Sequence, residues 1–362
     1  MNREKFIDLL GQTDRQGLYR ALYLAAPEAF DAPIGSWAAF GARVPPAVGA
    51  LCGGIPAEPP TPIAELLTER AFFPGEPWGE VNVIVNARYC PAFLHRLEFI
   101  KLVYVFRGSC RFYLDGRWHP MAAGNVCLVA PGVEQAVFSC HDEDIVLNLL
   151  LRKSTFAASF GDLLGGDGGG AIADFFWKML YHKPGGEALL ITGRPEVLIE
   201  EAVMELYEEA LLQPVKSCLV MKSLMLSIMA YLMRGDERAL VPLKGPGGGK
   251  PYPLARYLYF MKSNLADVSL AALAREFHLS EGYLSRYFAH ETGSTFRHLL
   301  MEMKLKRAAE LLVKTDCSIG KLTASLGYSD QSSFFRSFKA LYGMPPMVYR
   351  KKKRRAEFIR TV

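Results

Sequence analysis

The chain has 362 residues, half of them hydrophobic and 22% charged, a composition that excludes sustained disorder and, at this length, predicts two or three separate cores. Its net charge of +5 conceals a polarity: residues 251–362 hold 19 Lys/Arg against 9 Asp/Glu, and residues 1–250 hold the other 23 against 28. A polyanionic partner would therefore be met by the C-terminal end. The seven cysteines (52, 90, 110, 127, 140, 218 and 317) are odd in number and form no CxxC pair, which leaves reduced, buried thiols as the expectation rather than a disulfide framework or a zinc ribbon.

Along the chain, Met1–Asp14 carries Arg3, Glu4, Lys5 and Asp8 without an apolar core, unlike a secretory signal. Helical patches follow, then a Pro/Gly-rich stretch from Pro45 to Pro77, so residues 1–80 read as a helical and irregular N-terminal extension without visible chemistry. Residues 81–160 change character. Short β-rich runs at 81–85, 99–105, 110–114, 125–129 and 144–149 are punctuated by Gly108, Asp115-Gly116, Gly124 and Pro131-Gly132, which predicts an antiparallel barrel or sandwich. The glycine run 165–170 has no lysine followed by Ser or Thr, so it is not a phosphate loop.

Residues 171–235 are predicted helical. Val197, Ile199, Val203, Leu206 and Leu211, then Leu219, Met221, Leu224, Ile228 and Leu232, give two amphipathic helices separated near Pro214. The longest apolar stretch, Cys218–Met233, is interrupted by Lys222 and falls short of the roughly 18 to 20 residues that spanning a bilayer requires. No membrane partner and a cytoplasmic location are the expectations. Residues 244–251, Lys-Gly-Pro-Gly-Gly-Gly-Lys-Pro, read as a flexible linker.

Beyond the linker the pattern is that of a helix-turn-helix. Leu270, Leu273, Ala274 and Phe277 form the inner face of a first helix, and His278-Leu279-Ser280 the turn. A second helix starts at Glu281 with Ser280 as its N-cap and Leu284 and Phe288 inward at i,i+4. Gly282, Tyr283, Ser285 and Arg286 are left outward. Forty-nine residues later the pattern returns. Ile319, Leu322, Thr323 and Leu326 precede Gly327-Tyr328-Ser329, and a helix from Asp330 follows with Phe334 and Phe338 inward. Gln331, Ser332, Ser333, Phe335 and Arg336 face out, and Arg and Gln can pair bidentately with guanine and adenine edges. Between the copies, Arg297–Lys314 reads as one helix of roughly 27 Å, close to the ~34 Å separating successive major-groove faces. The run Arg350–Arg355 adds a basic tail, 351–362, either solvated or lending salt-sensitive phosphate affinity.

These residues carry a family resemblance. Leu284-Ser285-Arg286-Tyr287-Phe288, Thr292-Gly293, Ala308-Ala309-Glu310-Leu311-Leu312, Gly327-Tyr328-Ser329-Asp330-Gln331-Ser332, Phe338-Lys339, Gly343, Pro345 and Tyr349-Arg350 resemble the AraC/XylS family of transcription regulators over residues 252–350. The resemblance implies DNA contacts from Gly282, Ser285 and Arg286 in the first unit and from Gln331, Ser332, Ser333 and Arg336 in the second. Three positions depart from the family pattern: Lys304 for arginine, Thr323 for alanine at the helix crossing, and His278 for glycine in the first turn. In residues 81–160, Leu94-His95, Leu97-Glu98-Phe99, Leu102–Gly108, Gly124 and Ala130-Pro131-Gly132 resemble the cupin-like sensor barrel of the same family. The implied fold class is α+β: a cupin-like antiparallel barrel with flanking helices, followed by an all-α domain of two helix-turn-helix units.

The implied partners are double-stranded DNA, a small-molecule effector, RNA polymerase and a second copy of the chain through the helices of 171–235. His95 and Glu98 are the candidate effector contacts. The competing reading is a cupin-type metal enzyme fused to a DNA-binding domain. It needs several histidines and a carboxylate, but Glu134 stands where a further histidine is expected, and His119 and His141 lack ligand spacing. No metal, no cofactor and no catalytic residue are therefore expected.

Overall fold

In a computed structural model, the chain is described for residues 2–11, 16–55, 65–73, 79–159, 172, 175–176, 179, 188–193, 197–212, 217–234, 239–243, 254–328 and 330–361. The expected glycine run at 165–170 and the linker at 244–251 lie outside the described residues. The chain divides into two compact units, one holding Met1–Leu163 and Pro184–Pro251, the other Tyr252–Val362. Among the described residues no helix is long and apolar enough to cross a membrane.

The first unit is built on strands β1 (Leu66–Leu67), β2 (Val81–Val85), β3 (Arg96–Leu97), β4 (Ile100–Arg107), β5 (Ser109–Leu114), β6 (Arg117–Ala122), β7 (Val126–Val129), β8 (Gln135–Phe138), β9 (Ile145–Leu151), β10 (Ala188–Ile191) and β11 (Leu240–Pro242). They form an antiparallel six-stranded sheet in the order β11-β10-β7-β4-β9-β2, a three-stranded sheet β6-β5-β8, and the short parallel pair β1-β3. Barrel closure is not detected among the described residues, where the pairings give separate antiparallel sheets. Strand β4 is buried on both faces from Ile100 to Phe106, because helices cover its outer side: Phe6 lies 4.8 Å from Phe106 and 5.4 Å from Tyr207. The β5–β6 hairpin turns at Asp115 and Gly116, both at positive φ (49° and 80°), as a tight two-residue hairpin requires.

Helices α1 (Arg3–Gly11), α2 (Gln16–Ala25), α3 (Trp37–Arg43) and α4 (Pro46–Leu51) precede the strands. Tyr19, Leu22, Phe30 and Phe40 share one apolar cluster with Tyr89, Ala136 and Phe138, so this segment is packed against the three-stranded sheet. Short helices α5 (Glu69–Phe72) and α6 (Lys153–Ser159) follow, then α7 (Val197–Leu212) and α8 (Ser217–Met233), the two helices that the apolar periodicity predicts on either side of Pro214.

The second unit contains α9 (Leu254–Ser263), α10 (Leu270–Glu276), α11 (Glu281–Thr292), α12 (Phe296–Lys314), α13 (Ile319–Ser325), α14 (Gln331–Tyr342) and α15 (Pro346–Thr361). The starts of α10 to α14 are each fixed by a side-chain cap: Ser269 accepts from Ala272 N, Ser280 from Tyr283 N, Thr295 from His298 N, Ser318 from Lys321 N, and Asp330 from Ser332 N and Ser333 N. Helices α11 and α14 stop at Gly293 and Gly343, left-handed at φ 64° and 71°. Caps of this kind satisfy orphan backbone groups at about 1 kcal/mol each.

Candidate nucleic-acid interface and ligand-binding domain

The paired helices α10–α11 and α13–α14 bury the side chains that the sequence places inward: Leu273, Leu284, Phe288, Leu322, Phe334 and Phe338 are all 0% exposed. The outward set is exposed in both copies, with Gly282, Ser285 and Arg286 on α11 and Gln331, Ser332, Ser333, Phe335 and Arg336 on α14. Arg286 and Arg336 make no hydrogen bond or ion pair with another described residue. Asp330, at the head of α14, is held below the usual carboxylate range by the amides of Ser332 and Ser333, with a smaller effect from Arg336.

Where the two units meet, their symmetry breaks. The first turn places His278 at φ 54° on an exposed loop, the second places Gly327 at φ 68°. A Cβ on Gly327 would stand 1.9 Å from the Ala266 carbonyl oxygen, so the second turn is pressed against the segment leading into α10. Lys304 of α12 spans this joint, donating from Nζ to the carbonyls of Ala266 and Gly327 at 3.4 Å each and lying 5.5 Å from the Tyr328 ring centroid. Burial lowers its pKa. Lysine in place of arginine thus still bridges the two halves. Thr323, the other departure, is buried, and its hydroxyl is directed at the carbonyls of Ile319 and Gly320 at 3.0 Å each. The added polar group at the helix crossing is satisfied within its own helix.

The basic run is not uniform. Arg350 donates to the carbonyls of Leu312 (3.0 Å) and Cys317 (2.5 Å), and Arg354 to those of Val313 (2.9 Å) and Thr315. Both arginines therefore close the C-terminal end of α12, where cations are favoured. Lys351, Lys352 and Lys353 remain exposed on α15.

In the first unit, His95 is half-buried and hydrogen-bonded on both ring nitrogens. Nδ1 donates to the Phe93 carbonyl (2.9 Å) and Nε2 accepts from the Gln135 amide (2.6 Å). Burial and the neighbouring Lys101 ammonium push its pKa down to about 3. Glu98 does not join it. The Glu98 side chain is exposed and accepts from the Glu69 backbone amide at the start of α5 (3.0 Å). Sequence reading missed Lys101 and Gln135. Lys101, 5% exposed, donates to Gln135 Oε1 at 3.1 Å, and Gln135 is wholly buried. The signal was available: β4 is apolar on both sides of one lysine.

Among the described residues no group of three His, Cys, Asp or Glu side chains is placed to hold a metal. All seven cysteines are free, and burial pushes the thiols of Cys90 and Cys110 up to about 12 and that of Cys127 higher still. Such thiols pack as small apolar groups.

Comparison with known proteins places both units. A family model described as a helix-turn-helix domain matches residues 273–352, and one described as an AraC-like ligand binding domain matches residues 90–160. The chain is 26% identical over 284 residues to the uncharacterized HTH-type transcriptional regulator YfiF of Bacillus subtilis, covering 75% of this chain and 82% of that protein. It is 23% identical over 291 residues to the HTH-type transcriptional activator RhaR of Mannheimia succiniciproducens (78% and 96%). Against the HTH-type transcriptional activator RhaS of Escherichia fergusonii it is 24% identical over 281 residues (76% and 93%).

Proposed function

Because the chain belongs to the AraC family of helix-turn-helix transcription regulators, with an AraC-like ligand-binding domain ahead of its DNA-binding domain, and is therefore a regulator and not an enzyme, we propose that one chain reads two adjacent major grooves under the control of a small effector. The observation that carries this reading is the repeated surface of α11 and α14, each with an exposed arginine on its outward face. Helix α12, 19 residues from Phe296 to Lys314, is about 28 Å long at 1.5 Å per residue, near the ~34 Å between groove faces on one side of the duplex.

In this reading Gly282, Ser285 and Arg286 address one groove, and Gln331, Ser332, Ser333 and Arg336 the next. Gly282 has no side chain to offer, so the first unit reads fewer base edges and the second carries more of the preference. Lys351, Lys352 and Lys353 add phosphate contacts that position without specifying. A second copy pairs through α7 and α8, whose Val197, Leu198, Leu211, Leu212 and Leu219 are exposed. Two relatives are named as transcriptional activators, which supports activation as the mode of regulation; contact with RNA polymerase and action in the cytoplasm belong to this proposal. Glu98, bonded at α5, is left out of the effector site, while His95 belongs to it.

The test is hydroxyl-radical footprinting of full-length protein on a site selected from random duplexes. Two protected patches per chain about one helical turn apart are expected, with the patch of the affected unit lost in Arg286→Ala or Arg336→Ala. A single patch, unchanged in both variants, would refute two-groove reading.

A further inference from the structure

Two glycines of the second helix-turn-helix unit answer to different neighbours. A Cβ on Gly327 would meet the Ala266 backbone, so that glycine serves the fold. Gly320 lies inside α13, and its backbone is not left-handed, so no conformational demand calls for glycine there. Glycine within a helix is less stable than alanine, because more backbone freedom is lost and no side chain is packed. Apart from its own helix backbone and its chain neighbours, a Cβ on Gly320 would meet one atom within 4 Å, the side-chain amide nitrogen of Gln331 at 3.2 Å. That is tighter than ordinary contact, and the Gln331 side chain is what would have to move.

Gln331 opens α14 and is exposed. Its amide therefore rests over the bare backbone of the neighbouring helix while the residue itself stays at the protein surface. The first unit supplies a comparison within the same chain. Aligned on Leu273 with Leu322, and on Leu284 with Phe334, Ala271 stands where Gly320 does and Glu281 where Gln331 does. There the methyl group is present, and the residue that opens the second helix is an acid, which has no donor and is repelled by phosphates. In the unit that carries glutamine the methyl group is gone. Two departures from the repeat thus fall on a single contact.

We propose that Gly320 is a positioning residue for base reading: its missing side chain lets Gln331 lie over α13, where the amide is held ready for one adenine edge in the groove that α14 addresses. The assignment rests on the reading above, in which Gln331 touches bases. Glutamine pairs with adenine through both ends of its amide, accepting from N6 and donating to N7, so the pair tolerates little misalignment. A side chain already confined against a neighbouring helix has fewer rotamers to lose when it pairs. A methyl group on residue 320 would occupy the place of the amide. Because the displaced atom is the far end of a flexible side chain, the fold absorbs the change and the base contact does not.

The experiment titrates full-length protein against the duplex selected from random sequence and against every single-base variant of it, for wild type, Gly320→Ala, Gln331→Ala and the double variant. Gln331→Ala should erase an adenine preference of about tenfold at one position. Gly320→Ala should lower the preference at that same position by about threefold or more, and leave the other positions as in wild type. Its thermal midpoint should be unchanged or raised, since alanine is the better helix former. The double variant should match Gln331→Ala alone, because a side chain that is absent cannot be displaced. The proposal is overturned if Gly320→Ala keeps the wild-type preference at that position, if it weakens all duplexes equally, or if the two losses add. Preference lost in Gln331→Ala and kept in Gly320→Ala removes the positioning role and leaves base reading by α14 in place. Preference kept at every position in Gln331→Ala removes Gln331 from the reading set and overturns the proposal with it, and Arg336→Ala on the same duplexes then shows whether α14 reads bases at all.

Discussion

Replacing Gly327 by alanine tests whether the two helix-turn-helix units act as one rigid reader. Two costs add at this position. The φ of 68° is left-handed, which an L-residue adopts at about 1–2 kcal/mol. The new Cβ would also stand 1.9 Å from the Ala266 carbonyl oxygen, a backbone atom that cannot rotate aside. Relief requires the turn and the Ala266 segment to part, and Lys304, which donates to both carbonyls, then loses at least one bond of the charged kind, worth about 1.5–3 kcal/mol. A loss of roughly 3–5 kcal/mol in the stability of the second unit is expected. Urea denaturation of the full-length protein measures it, and footprinting should show the two-patch site bound about 100-fold more weakly, a loss of about 3 kcal/mol. The matching change in the first turn goes the other way. His278 is exposed at φ 54°, so His278→Gly should be neutral or stabilising by up to about 1 kcal/mol. If Gly327→Ala is within about 0.5 kcal/mol of wild type, the size of an ordinary surface change, the docking argument fails.

Arg336→Ala should cost roughly 1 to 3 kcal/mol on the preferred site and relax one base position, whereas Lys352→Ala should lower affinity on every duplex and reduce the salt slope by about one unit. Equal losses for Arg336→Ala on specific and scrambled duplexes would reduce it to a phosphate contact. Arg350→Ala should instead destabilise the fold by about 1–3 kcal/mol, because it strips two charge-assisted bonds from the end of α12. Its salt slope should stay that of wild type, and a slope change without a stability loss would return Arg350 to the DNA-contacting set. Burial lowers Lys101 from 10.5 to about 8, so the unfolded chain holds this proton more tightly than the folded one. Charged Lys101 therefore costs about 3 kcal/mol below pH 8, a cost that fades as pH rises from about 8 to 10.5. Lys101→Met should be more stable than wild type at pH 7, and the difference should shrink towards zero near pH 10.5. His95, Cys110 and Cys127, which face Lys101, remain in both proteins and largely cancel in that difference. A difference independent of pH would mean that Lys101 is not buried as a cation.

Helices α11 and α14 were legible to within a residue because their signals are local. Ser280 and Asp330 are caps that sequence can name, and Leu284/Phe288 and Phe334/Phe338 are spacings that sequence can count. Five strands were legible for the same reason, as runs of β-branched and aromatic residues. Strand β6 (Arg117–Ala122), polar and carrying Pro120, and β8, four residues from Gln135 to Phe138, have no such run. Both pair with Ser109–Leu114, β6 across the tight Asp115-Gly116 turn and β8 from a segment well separated along the chain. Glu98 was grouped with His95 because they are near in sequence, yet residues three apart around a strand fall on opposite faces. Lys101 and Gln135 were missed because lysine and glutamine read as solvent-facing, and only the packing of one sheet against the other puts them together inside. The basic run was over-read in the other direction: Arg350 and Arg354 are spent on the end of α12, which no charge count could distinguish from Lys351, Lys352 and Lys353.

The positions where the two helix-turn-helix units differ follow from where each is loaded. On the outward faces of α11 and α14 the pattern of exposed and buried positions is nearly the same, since both must present side chains beyond the protein surface. At the turns they diverge. The first is open to solvent and accepts histidine at a left-handed position. The second carries one more residue between its helices, needs glycine against Ala266, and is tied by Lys304. Reading two grooves at once requires the spacing between the faces to be held by the protein rather than supplied by the DNA, because ordering two loose modules on binding would consume affinity. The residues that depart from the repeat are therefore the ones that set its geometry: Gly327 and Lys304 fix how far apart Arg286 and Arg336 stand.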